Sequence, residues 1–155
     1  MDDLIFMQAA LAEARLSLQE DEIPVGCVIV KDNKIIAQAH NQKQKYKNSQ
    51  YHAEMIALFQ ATKALNDWRL QDCDVYVTLE PCLMCCGALI QARVRRVIYG
   101  AYDPKVGAVE SIINTFDIKG LNHQILYLGG ILKEESSSLL KQYFKHKRDE
   151  NHLDL

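Results

Sequence analysis

Long apolar runs are missing from this chain. None of the uninterrupted apolar stretches among its 155 residues approaches the 18 or more needed for a membrane-spanning helix. Asp2 and Asp3 follow Met1 where a secretory leader would carry basic residues, so a cytoplasmic protein with no membrane segment is expected. A paired set of cysteines is missing too. The five, Cys27, Cys73, Cys82, Cys85 and Cys86, are odd in number, and three fall within five positions where mutual disulfides would be strained. Reduced thiols or a metal site fit that pattern. Nor does one sign of charge dominate: 18 Lys and Arg stand against 20 Asp and Glu, a net charge of −2, which argues against a uniformly basic nucleic-acid binder. There is no internal repeat, and no low-complexity segment beyond Ser136 to Ser138.

What is present suffices for one domain over residues 1–155. With 48% hydrophobic and 25% charged residues, a chain of this length buries roughly 70% of its unfolded surface in one core and needs no disulfide staples. The charge is unevenly spread. Met1 to Pro24 holds six acids and one base, and Asn41 to Tyr51 holds Lys43, Lys45 and Lys47 with no acid. Lys133 to Arg148 holds five bases and two acids, and Arg93, Arg95 and Arg96 form a third basic cluster. Each cluster alone is also what a solvated surface presents.

Leu4, Met7, Leu11, Ala14 and Leu18 recur at helical spacing, predicting a first helix to about Glu20, stopped by Pro24 and Gly26. Val25 to Lys31 and Lys34 to His40 read as strands joined through Asp32 and Asn33 in a hairpin. After a lysine-rich loop, His52 to Leu65 reads as a largely apolar, well-buried helix. Val75 to Leu79 is a third strand, Leu83 to Ala92 a buried helix following Pro81, and Arg96 to Gly100 a fourth strand. Ser111 to Phe116 suggests a helical turn and Gln124 to Leu128 a fifth strand. Glu134 to Lys147 closes the chain as a helix with Leu139, Leu140, Tyr143 and Phe144 on one face. Strands alternating with helices after a hairpin predict an α/β protein, a three-layer α/β/α sandwich on a five-stranded mixed sheet.

Two short stretches stand apart, His52-Ala53-Glu54 and Pro81-Cys82-Leu83-Met84-Cys85, each at an expected helix start. Singly, a histidine or a cysteine pair is commonly a packing feature. Jointly they supply three zinc-type ligands, two sulfurs and one nitrogen, which leave a fourth position for water as catalytic sites do. Cys82 shares a helix face with Cys85 at i+3 and with Cys86 at i+4, so spacing alone leaves both open as the second sulfur. A helix N-terminus stabilises either thiolate. Zinc brings the pKa of bound water from about 15.7 to about 7. Glu54 points away from His52 on a regular helix, yet near the helix start it can reach that water as a proton carrier. Cys27 and Cys73 read as packing residues.

Histidine-x-glutamate followed by proline-cysteine-x-x-cysteine marks the zinc deaminases of nucleobases. Over nearly its full length the chain further resembles the bacterial tRNA-specific adenosine deaminases of the cytidine/deoxycytidylate deaminase superfamily, which convert wobble adenosine to inosine. The segments that carry the resemblance are Ile23-Pro24-Val25-Gly26, Tyr76-Val77-Thr78-Leu79-Glu80-Pro81-Cys82, Gly129-Gly130-Ile131-Leu132 with Glu135, and Tyr143-Phe144-Lys145-His146-Lys147-Arg148. The resemblance implies a cytidine-deaminase-like fold, a homodimer, and a tRNA anticodon stem-loop as substrate, an arginine tRNA among the candidates. It implies one zinc ion per chain on His52, Cys82 and Cys85, with Glu54 moving protons. It also implies that Asn41 and the backbone of Ala53 meet the flipped adenosine, that Asp103 lies near the RNA backbone, and that Lys145, Lys147 and Arg148 hold phosphates. The chain departs from the family pattern at Asn48-Ser49-Gln50-Tyr51, where Asp-Pro-Thr-Ala is usual, and at Cys86, Tyr102 and Val106.

Overall fold

The computed structural model describes residues 2–153. In chain order the elements are α1 (Asp3–Gln19), β1 (Gly26–Lys31), β2 (Lys34–His40), α2 (Lys43–Tyr46), α3 (Ala53–Leu65), β3 (Cys73–Leu79), α4 (Leu83–Gln91), β4 (Arg96–Ala101), a 3-10 turn (Thr115–Asp117), β5 (Leu126–Leu128) and α5 (Lys133–Leu153). The five strands form one sheet in the order β2-β1-β3-β4-β5. β1 runs antiparallel to β2 and β3, while β3, β4 and β5 are parallel, giving the mixed sheet expected from the sequence.

The β1–β2 hairpin turns through Asp32 and Asn33, both at positive φ (51° and 62°), the backbone whose twist suits a two-residue hairpin. Helices cover both faces: α1 and α5 pack on one, α3 and α4 on the other. Side-chain alternation along the central strands serves both layers. Val28, Val30, Tyr76 and Ile98 join Phe6, Met7 and Ala10 of α1. Cys27, Ile29, Val75, Val77, Val97 and Tyr99 join Ala57 and Leu58 of α3 and Leu89 of α4. The strands therefore read as continuous apolar runs. Gly26 is required where α1 crosses β1, because a Cβ there would lie 1.9 Å from the Ala10 carbonyl oxygen.

Several expectations shift. The buried stripe of α1 is Phe6, Met7, Ala10, Leu11, Ala14 and Ser17, and Leu4 is 54% exposed. Ser17 belongs to that stripe because its hydroxyl donates to the Asn41 carbonyl at 2.9 Å. The lysine-rich loop contains the short helix α2, and Phe59 of α3 is 54% exposed because that helix is covered only on the side facing β1, β2 and α4. The expected turn near Ser111 forms later, at Thr115–Asp117. β5 is shortened to three residues, an edge strand paired only with β4. α5 continues six residues past Lys147, and Phe144 is exposed while Leu139 is buried.

Arg95 and Arg96, part of the third basic cluster, are tied to Asp74 across the β3–β4 pairing. Arg95 reaches the carboxylate through Nε at 2.9 Å and Nη2 at 2.8 Å, and Arg96 through Nε at 3.0 Å and Nη2 at 2.7 Å. Burial pushes the Asp74 carboxyl up, and the two guanidiniums reverse this and hold it below its ordinary value of 3.8. Asp74→Asn is expected to cost about 2 kcal/mol at neutral pH, part of the pair being screened at exposed Arg95. A depressed carboxyl stabilises the fold above its unfolded pKa and loses that contribution as pH falls through the folded value. The gap between native and variant urea midpoints should therefore be full at pH 7 and narrow below pH 3.8.

Candidate active site

Two helices begin side by side at one end of the sheet. His52, in extended conformation, is the N-cap of α3, and Cys82, also extended, is the N-cap of α4 directly after β3. His52 Nδ1 lies 3.7 Å from Cys82 Sγ and 3.5 Å from Cys85 Sγ, and the three ligand atoms all fall within 4.8 Å of one another. A tetrahedral zinc ion, with Zn–S near 2.3 Å and Zn–N near 2.1 Å, sets sulfur and nitrogen about 3.6 Å apart. The donor set and its spacing thus fit a zinc ion. Cys86, which spacing had left open, turns away: it is fully buried and its thiol donates to the Pro81 carbonyl at 3.7 Å. Cys27 and Cys73 are buried in β1 and β3.

One proton shared between the two sulfurs leaves Cys82 as the anion. Its pKa falls to about 4, first because Cys85 donates to it and then because of His52, against the effect of burial. The same sharing, with burial, drives Cys85 far up. The hydrogen bond to Cys82 raises His52 despite burial, and burial raises Glu54. The start of α4 favours the negative sulfur electrostatically. Glu54 is only 4% exposed, yet it lines a cavity of 210 Å³ together with His52 and Cys82.

The walls of that cavity are Ile23, Val25, Leu79 and Val106, and its polar groups include Asn41, Lys43, Glu80 and Asp103. Asn41 Oδ1 accepts from the Lys43 amide at 3.2 Å and Nδ2 donates to the Ile23 carbonyl at 3.3 Å, leaving one amide hydrogen uncommitted. Ala53 is buried between His52 and Glu54 at the head of α3. Asp103 accepts from the Lys105 and Val106 amides at 3.0 and 3.3 Å. Lys145 and Arg148 are exposed on α5 and do not line the cavity. Lys147 is paired with Asp21 at 2.7 Å and Glu150 at 3.4 Å, and with Lys45 it lines a separate recess of 570 Å³. The end of α5 therefore faces the α2 segment across that recess, so two of the three basic clusters converge on it. The Arg95–Arg96 pair sits at the opposite end of the sheet, at the start of β4.

Besides Asp74 at the far end of the sheet, two buried acids near the site were given no role by the sequence reading, Glu80 and Glu22. Glu80 is 2% exposed. Its Oε1 accepts from the Asp103 amide at 3.0 Å and from the Ser111 hydroxyl, and its Oε2 from the amides of Val109, Glu110 and Ser111 at 3.1, 2.8 and 2.9 Å. Gly107 is needed there, since a Cβ would meet the carboxyl carbon at 2.4 Å. The loop carrying Asp103 and Val106 is thus wrapped around one carboxylate, two residues before Cys82. An acid at the end of an otherwise apolar strand, ahead of a proline, was the available signal. Glu80→Gln puts an amide N–H against a backbone N–H and is expected to cost about 2–3 kcal/mol. Hydrogen exchange at Asp103, Val109, Glu110 and Ser111 should accelerate together while β1 and β3 stay protected.

A protein-family model described as MafB19-like deaminase matches residues 1–148. The tRNA-specific adenosine deaminase of Bacillus subtilis is 40% identical over 146 residues, 94% of this chain and 91% of its own. That of Aquifex aeolicus is 43% identical over 144 residues, 93% and 95% of the two chains. A structure from studies of A-to-I editing by tRNA:A34 deaminases at the wobble position superposes with a TM-score of 0.85 at 42% identity, over 88% of this chain and 99% of the other. A guanine deaminase from Nitrosomonas europaea superposes with a TM-score of 0.78 at 25% identity, over 90% and 83%. With identity of this order running from α1 into α5, through the ligand-bearing starts of α3 and α4, the chain belongs to the MafB19-like deaminases and, among them, to the tRNA-specific adenosine deaminases.

Proposed function

We propose that this protein hydrolyses the adenosine at the wobble position of a tRNA anticodon, that of an arginine tRNA, to inosine and ammonia. The observation that carries this reading is the convergence of His52, Cys82 and Cys85 at zinc-ligand spacing beside the buried carboxylate of Glu54, at a cavity with room for one base. His52, Cys82 and Cys85 would hold one zinc ion per chain, whose chemistry there is to make water nucleophilic at neutral pH.

The protein's own groups do the rest. Glu54 takes a proton from the attacking water and returns protons to the ring nitrogen and the departing amine as oxygen replaces nitrogen on carbon 6. The spare amide hydrogen of Asn41 holds the base, and the backbone of Ala53 faces the reacting carbon. Ile23, Val25, Leu79 and Val106 exclude bulk water from the ring. An adenine stacked in its loop cannot enter such a cavity, so the base is splayed out, at a cost of a few kcal/mol in a single-stranded loop. Asp103 stands toward the RNA backbone, and Lys145, Lys147 and Arg148 hold phosphates.

The whole chain acts as one domain, in the cytoplasm and as a homodimer. Phe59 on α3, Leu83 on α4, and Ile112 and Ile113 ahead of the turn packed on α4 leave apolar surface in water on the layer that bears the ligands. No helix among the described residues is long and apolar enough to cross a membrane.

The purified protein should contain one zinc per chain, sediment at twice the chain mass, and form inosine on an arginine tRNA transcript bearing adenosine at the wobble position. Glu54→Ala should keep its zinc and lose about 10²- to 10⁴-fold in kcat. Ammonia from free guanine, adenosine or cytosine without inosine in tRNA would instead make it a deaminase of free bases. The basic end of α5 has its own readout. Replacing Lys145 and Arg148 with alanine should weaken tRNA binding and flatten its salt dependence by about one unit of slope for each phosphate no longer neutralised. Lys147→Ala should do less, because Lys147 must leave Asp21 to reach a phosphate.

A further inference from the structure

The segment between β2 and α3 is built, not slack. Glu22, 1% exposed, accepts from the amides of Gln44 and Lys45 at 2.9 and 2.7 Å and so fixes the start of α2. Lys47, in the left-handed conformation, ends the helix. Asn48 Oδ1 accepts from the Gln50 amide at 2.9 Å, its carbonyl accepts from the Tyr51 amide at 3.1 Å, and the Gln42 amide donates to the Tyr51 carbonyl at 3.1 Å. On this frame Tyr46 stands 54% exposed. The ring of Tyr51 braces it, with centroids 5.1 Å apart, and the Lys45 ammonium lies 5.4 Å from its centre. Lys43, one helical turn earlier, lines the cavity, as does His52, which follows Tyr51 directly.

We propose that Tyr46 is a stacking platform for the unpaired base that adjoins the deaminated adenosine, with Lys45 taking the phosphate between them. The inference rests on the tRNA reading above and names which face of the protein meets the RNA loop. Splaying out one base strips its neighbour of a stacking partner, and an exposed, braced aromatic ring replaces that partner whatever the identity of the base. Three lysines without an acid between Asn41 and Tyr51 match a phosphate backbone.

The test is inosine formation and equilibrium binding on an anticodon stem-loop. Tyr46→Ala should raise KM and Kd at least about fivefold with kcat within twofold, and Tyr46→Phe should stay within twofold of the native protein throughout. An abasic site at the nucleotide 5′ or 3′ of the reactive adenosine should weaken the native protein but add little to Tyr46→Ala on the side where the ring stacks. Unchanged KM and Kd in Tyr46→Ala, or abasic penalties that add in full on both sides, would overturn the platform. No inosine and no stem-loop binding by the native protein would overturn the tRNA reading and the platform with it. Binding without inosine overturns the activity alone and leaves the platform to the Kd comparison.

Discussion

Two helix N-termini are forced together, and the site follows from that. β2 leads through α2 into α3, and β3 leads into α4; both long helices start beyond the carboxyl ends of strands and lie on the same face of the sheet. In open α/β sheets that is where ligands gather. Here the extended N-cap residues are themselves the ligands, His52 on one helix and Cys82 on the other, with Cys85 a turn further in. Each helix start favours negative charge, so the dipoles support the Cys82 thiolate and the Glu54 carboxylate at once. Shifting either helix along its axis by one turn, about 5.4 Å, exceeds the whole 4.8 Å span of the ligand atoms. The parallel β3–β4 register, pinned at its far end by Asp74 and two arginines, guards against that slip.

Buried carboxylates organise the segments beside this centre and the far end of the sheet that supports it. Glu22 starts α2, Glu80 gathers the Asp103–Ser111 loop, and Asp74 clamps the start of β4. Each accepts several N–H groups, which is how a protein keeps an ionised group out of water. Burial pushes the Glu80 carboxyl up and its backbone donors hold it down, as the arginines do for Asp74. The rim of the cavity is therefore made by acids remote in sequence from the segments they hold.

That remoteness sets what the sequence could disclose. The hairpin, the ligand-bearing helices and the sandwich are legible because apolar periodicity and turn residues act locally. Spacing could not choose between Cys85 and Cys86, since both share a helix face with Cys82, and only the family resemblance pointed to Cys85; what separates them physically is that Cys86 points into the core against Pro81. α2 is four residues made largely of lysine and glutamine, and nothing local announces it; it exists because Glu22, some twenty positions earlier, satisfies its first amides. Counting charge along the chain likewise set Arg95 and Arg96 beside the lysine clusters as a third basic group, although their partner is across the β-ladder. Leu4 and Phe6 compete for the buried side of α1, and the crossing at Gly26 decides for the stripe through Ala10 and Ala14.

A guanine deaminase shares this sandwich, so fold alone does not set the substrate. On the proposed reading, discrimination resides in the segments that surround the cavity, α2 and the Asp103–Ser111 loop, and in the end of α5 beside the neighbouring recess. These three segments are held before any ligand arrives, by Glu22, by Glu80, and by the Lys147–Asp21 pair. A preformed rim spares a ligand the entropy of ordering loops on arrival, and it restricts entry to shapes that already fit. A free base could fill the cavity but would leave the lysines around Tyr46 and the exposed cations of α5 without partners. On the tRNA reading proposed above, a single-stranded loop would engage all of them together, and the rim would then reward a base presented on a phosphate backbone over the same base alone.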